Sequence, residues 1–128
     1  MKKLLKSSLL TLASLALLTG ANAKTLENGV LKIATEGTYS PYSYHDKNDA
    51  LTGYDVDIAK AVADKLGLKV EFVEAPLDAM LAAFDAGKAD VVFNQVSITD
   101  ERKKKYELSE PYTVTYGAII VRKDNDSI

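Results

Sequence analysis

The sequence has no cysteine and a single histidine. The first absence excludes disulfides, thiolate metal sites and cysteine nucleophiles. It also excludes a lipid-modified amino terminus, which needs a cysteine at the cleavage point. The second leaves little for a metal. His45 lies in the polar stretch YHDKND beside Asp46 and Asp49, without the ligand spacing of a recognisable metal site. No Ser-His-Asp ordering, glycine-rich phosphate loop or paired-carboxylate motif is present. No catalytic residue, metal or cofactor is therefore nominated. A net positive charge is also absent. The formal charge of −2 becomes −5 once Lys2, Lys3 and Lys6 are set aside with the first twenty-three residues, a balance that speaks against nucleic acid as a partner. There is no internal repeat and no low-complexity tract.

Those first residues read as an export signal. Three lysines precede the uncharged, Leu-rich run SSLLTLASLALLTG, and Ala21–Ala23 form a small-x-small cleavage site. The run falls short of the roughly 20 residues of a spanning helix and is diluted with Ser and Thr. A signal peptide over 1–23, cleavage before Lys24 and a periplasmic mature protein over 24–128 are expected. That length suits one small domain with a modest core.

Along the mature part, GVLKIATE (29–36) alternates and predicts a strand. The Tyr-, Gly- and Pro-rich stretch after it predicts a loop. DVDIAKAVADKLG carries apolar residues at helical spacing, with Asp55 and Asp57 near the positive end of the helix dipole and Gly67 as its stop. LKVEFVE (68–74) predicts a second strand. LDAMLAAFDAGK predicts a second amphipathic helix ended by Gly87. ADVVFN predicts a third strand covered on both faces. TDERKKKY predicts a short helix capped by Thr99 or Asp100, and YTVTYGAIIVRK a fourth strand. The β-α-β-α-β order with short connections predicts a parallel sheet sandwiched by helices.

In such a sheet ligands collect beyond the carboxyl ends of the strands. Three segments reach that end: the tyrosine-rich loop, the turn at 75–78, and NQVSITDER after the third strand. Arg102 offers a planar fork suited to a carboxylate. The free N–H groups at the start of its helix suit an anion. Ser97 adds a hydroxyl, and carbonyls of Asn94 or Gln95 could accept from an ammonium. Tyr39 and Tyr42, crowded around Pro41 with Tyr44, suit a pocket wall. Glu36 ends the first strand in the same region. The plain alternative is a capped, solvated helix end, and Lys103, Lys104 and Lys105 are read that way.

EGTYSPYSY, LTGYDVDIAKAVADKLG and DVVFNQVSITDERKKKYELSEPY together resemble the amino-terminal half of an extracellular solute-binding protein of the polar amino-acid ABC transporters, across 30–123. The match is most similar to cystine-binding members. The resemblance implies an α/β, periplasmic-binding-protein type II-like fold, of which 24–128 is the first lobe. It implies capture of an amino acid for a membrane permease, by a monomer. By resemblance, Arg102 and the Ser97 N–H clamp the ligand carboxylate, the Ser97 side chain and the Gln95 carbonyl take its ammonium, Tyr39 packs on it, and Glu36 lies near its side chain. Position 77, usually aromatic in the family, is Leu77. Family members run to about twice this length, so a second lobe is expected after Ile128, and weak binding and marginal stability without it. Two other readings share the fold: a dehydratase acting on arogenate or prephenate, and the sensor domain of a receptor.

Overall fold

The computed structural model describes residues 24–125; the leader reading, which falls on 1–23, lies outside the described residues. In chain order they form β1 (Val30–Thr35), the short strands β2 (Thr38–Tyr39), β3 (Ser43–His45) and β4 (Leu51–Thr52), α1 (Tyr54–Leu66), β5 (Lys69–Glu74), α2 (Leu77–Asp85), β6 (Val91–Val92) and α3 (Asp100–Lys103). The expected parallel sheet is present, in the order β5-β1-β6. β5 lies parallel to β1 along its whole length, from Val30↔Lys69 to Thr35↔Glu74. β6 pairs only at Ile33↔Val91 and Ala34↔Val92, and single bonds from Asp90 N to Lys32 O and from Phe93 N to Ala34 O extend the contact.

One helix covers each face, because alternate residues of a strand point to opposite sides. α1 lays Ala59 and Ala63 on Leu31 and Ile33, with Val70, Phe72, Val91 and Phe93 closing the layer. α2 lays Met80 on Ala34 and Ala89, with Val92 and Leu81 alongside. Apolar residues on both faces of the third strand meet the expectation for a covered strand, although its regular part is two residues rather than ADVVFN.

The stretch expected to be a loop folds instead into a small antiparallel meander, in which β2, β3 and β4 pair in that order. Asp46 shapes the β3–β4 turn, its Oδ1 accepting from Asn48 N at 2.8 Å and Ala50 N at 2.9 Å. The meander docks on α1 through main chain. The first N–H groups of the helix, on Tyr54 and Asp55, donate to the carbonyls of Pro41 at 3.0 Å and Tyr42 at 2.9 Å. Gly53, the residue before the helix, makes no side-chain cap and has φ 123. A Cβ there would strike the Pro41 and Tyr42 carbonyls, so glycine is what lets the two segments approach this closely.

α1 ends at Gly67 in the left-handed conformation, as expected. α2 ends one residue earlier than expected, with Ala86 as its cap and Gly87 following at φ 69. The expected fourth strand does not form. Residues 112–123 have strand-like composition, but no described segment pairs with them, and composition supplies no partner. Tyr112 and Thr113 are tied down; beyond them the apolar side chains face outward, with Ile120 96% exposed. Among the described residues no helix is long and apolar enough to cross a membrane.

Candidate functional site

The three parallel strands end side by side, and the residues just past their ends enclose an open cleft of about 400 Å³. Glu36 follows β1, Leu77 opens α2 after β5, and Asn94, Gln95, Val96 and Ser97 follow β6; Tyr39 and Arg102 complete the lining. Of the eight residues nominated from sequence, seven line this cleft. Tyr42 does not; its ring packs against Tyr39 at 5.0 Å between centroids.

Asn94 is the hub of the cleft floor and is 5% exposed. Its Oδ1 accepts from Glu36 N at 3.0 Å, Ser43 Oγ at 3.2 Å and Thr35 Oγ1 at 3.5 Å, and its Nδ2 donates to Glu36 Oε2 at 3.2 Å. Its side chain therefore joins the third strand to the first strand and the meander. Gln95 has a left-handed backbone, φ 50. Its side-chain amide is engaged at both ends: Nε2 donates to Asp55 Oδ1 at 2.6 Å, and Oε1 accepts from Thr113 Oγ1 at 2.7 Å. What Gln95 has left to offer a ligand is main chain.

α3 is a single turn. Thr99 caps it, its Oγ1 accepting from Arg102 N at 3.2 Å, as one of the two expected caps. A single turn carries little aligned dipole, and its cap already takes one leading N–H, so the helix start adds little to the charge at the cleft. The cation at the cleft is the Arg102 side chain itself. One of its N–H groups donates to the Ser97 carbonyl at 3.0 Å, which steers the guanidinium along the cleft wall and leaves the rest of the fork uncommitted.

The three lysines after Arg102 are exposed, as the solvated-face reading expects, and Lys105 makes a specific contact as well. Lys105 Nζ donates to Asp85 Oδ2 at 2.6 Å and stands 4.8 Å from the Tyr106 ring centroid. This bond holds the Asp85 carboxyl below the usual carboxylate range and raises the Lys105 ammonium. With Phe84 edge-on to Tyr106 at 5.9 Å, the contact fastens α3 to the end of α2. Lys103 pairs loosely with Asp100 at 3.5 Å.

Three residues that sequence reasoning does not nominate stand behind the cleft: Asp55, Tyr112 and Thr113. Tyr112 donates to Asp55 Oδ1 at 3.0 Å. Burial of that hydroxyl end, then the adjacent carboxylate, push the phenol pKa up. From sequence, Asp55 is a dipole-favoured acid at a helix start. Its spacing holds another signal, because Asp55, Ala59 and Ala63 share one buried stripe of α1.

A second open groove, of about 510 Å³, lies past α3 among Lys103, Tyr106 and residues 107–111. It is larger, but none of the nominated residues lines it. Converging polar groups, rather than volume, distinguish a binding site. Among the described residues no group of three or more His, Asp or Glu side chains could hold a metal ion.

Comparison with known proteins agrees with this architecture. Residues 31–128 match the family model of bacterial extracellular solute-binding proteins, family 3. A probable amino-acid ABC transporter-binding protein of Haemophilus influenzae is 42% identical over 133 residues, covering 100% of this chain and 52% of the relative. The L-cystine-binding protein TcyA of Bacillus subtilis is 48% identical over 107 residues, covering 83% and 40%. Among solved structures, the unliganded, open L-cystine solute receptor of Neisseria gonorrhoeae is 54% identical with a TM-score of 0.63, over 66% of this chain and 36% of that one. The chain spans about half, or less, of the length of the curated relatives it matches. With a family match over nearly all of the described residues and a fold shared with solved members, the chain belongs to the bacterial extracellular solute-binding proteins, family 3.

Proposed function

We propose that this chain is the first lobe of the substrate-binding component of an amino-acid ABC transporter, exported to the periplasm by its leader and delivering its ligand to a membrane permease. The observation that carries the reading is the meeting of Arg102, Ser97, the Gln95 main chain and Glu36 at one cleft. In this reading Arg102 takes the ligand α-carboxylate in charge-assisted hydrogen bonds. The Gln95 carbonyl and the Ser97 hydroxyl accept from the α-ammonium. Tyr39 and Leu77 flank the ligand side chain, with Glu36 near its polar end. Cystine is the leading ligand, supported by the cystine-binding relatives. A dehydratase would need a proton donor over the ligand. Among the described residues Glu36 is the one carboxylate lining the cleft, and it holds Asn94, so no observation favours that reading.

The test is calorimetric titration of the whole gene product with L-cystine and the other amino acids, beside R102A. Loss of one partner of a desolvated charge pair costs about 2–5 kcal/mol, or roughly 30-fold or more in Kd. Binding of any amino acid with an R102A Kd within about threefold of wild type would refute the clamp.

A further inference from the structure

Behind the cleft a buried carboxylate is bonded to the side chain of a residue with a left-handed backbone. Asp55 is 0% exposed, near the start of a 13-residue helix. Burying a carboxylate is unfavourable unless it is engaged. It does not cap its own helix, whose leading N–H groups go to Pro41 and Tyr42. Its Oδ1 receives Gln95 Nε2 and Tyr112 OH, while Oδ2 has no hydrogen-bond partner. Gln95, in turn, keeps a left-handed backbone that side-chain-bearing residues adopt reluctantly.

We propose that Asp55 is a positioning residue of the cleft: through Gln95, and with Thr113 at the other end of the same amide, it fixes the main chain at 95–97 that faces the ligand. This inference rests on the reading of the cleft as a ligand site. The side-chain amide of Gln95 acts as a tie rod between a rigid helix and Thr113. Moving or rotating the Gln95 Cα would stretch one of its two short bonds. A conservative change at Asp55 that keeps an acceptor oxygen should preserve the tie, whereas truncation should release it.

The experiment compares D55A, D55N, T113V and A63G in the ¹⁵N-labelled whole gene product. The first reading is the ligand-free amide resonances of Val96 and Ser97; the second is the Kd for L-cystine. D55A and T113V are expected to shift both resonances and weaken binding about tenfold or more, and D55N to restore both. A63G, a destabilising change on the same helix, is expected to lower the thermal midpoint and leave both readings in place. Unshifted Val96 and Ser97 resonances in D55A overturn the proposal, as does an A63G shift equal to that of D55A. Should D55A fail to fold, T113V decides alone by the same criterion. If the wild type binds no cystine, the resonances still decide the positioning role, and only the ligand assignment fails.

Discussion

Replacing Asn94 tests whether the cleft floor is held by one side chain. In N94A, Glu36 N–H loses its 3.0 Å acceptor and the buried Ser43 hydroxyl loses its 3.2 Å one. The Thr35 bond, at 3.5 Å, is too long to count for much. Ser43 Oγ still accepts from Gly37 N at 3.2 Å, so its loss is partial. A stranded buried polar group costs about 1–3 kcal/mol, which puts N94A at about 2–4 kcal/mol. In a domain of this size that lowers the thermal midpoint by roughly 10–25 °C. N94D separates shape from donor. It keeps acceptor oxygens but sets a second carboxylate against Glu36, where Nδ2 now donates at 3.2 Å. Two like charges there disfavour the folded state at neutral pH, and acidification returns a proton to the pair and with it the missing donor. Circular dichroism melts at about pH 4.5 and 7.5 should therefore find N94D weakened at the higher pH and closer to wild type at the lower. An N94A cost below about 0.5 kcal/mol, or an N94D deficit that ignores pH, would refute the reasoning.

The ring nitrogens of His45 lie 2.7 Å from Glu74 Oε2 and 3.0 Å from Asp49 Oδ1, and Glu74 first, then Asp49, raise its pKa above the ordinary histidine value. Its contribution is therefore complete below the unfolded pKa of about 6.5 and is lost as pH rises through the folded one. The midpoint difference between wild type and H45A should shrink across that window, and a constant difference from about pH 5 to 9 would count against it. G53A should cost about 2–4 kcal/mol in urea denaturation, because the new methyl meets main chain that cannot yield; a change under about 1 kcal/mol would show that the meander can back away from α1. L77F, which enlarges an exposed cleft wall, should tighten ligand binding about two- to tenfold through added ring contact, read by calorimetry; unchanged or weaker binding would remove position 77 from the ligand wall.

The legible parts of the fold are those in which a periodic apolar face meets a partner. Ala59 and Ala63 on α1, Met80 on α2, and the alternation in β1 and β5 all fall in this class. The meander is not legible, because strands of two or three residues carry no period. The segment at 112–123 misleads in the opposite way, with strand composition but no ladder to join. At the cleft, residue type and order locate Arg102, Ser97 and Glu36, but not the bonds that hold them. Asp55 is obscured because one observation, an acid at a helix start, has two physical causes: attraction to the dipole and engagement by a distant amide.

The cleft separates two kinds of residue. Asn94 and the tied amide of Gln95 are built into the floor, and changing them disturbs the lobe. Tyr39, 44% exposed, and Leu77, 42% exposed, stand on its rim with little core behind them. Substitutions at the rim carry a small stability cost, so under the proposed reading the accepted ligand side chain can change without disturbing the floor. The stability of the lobe and the identity of its ligand would then be set by different residues, and either could change without the other.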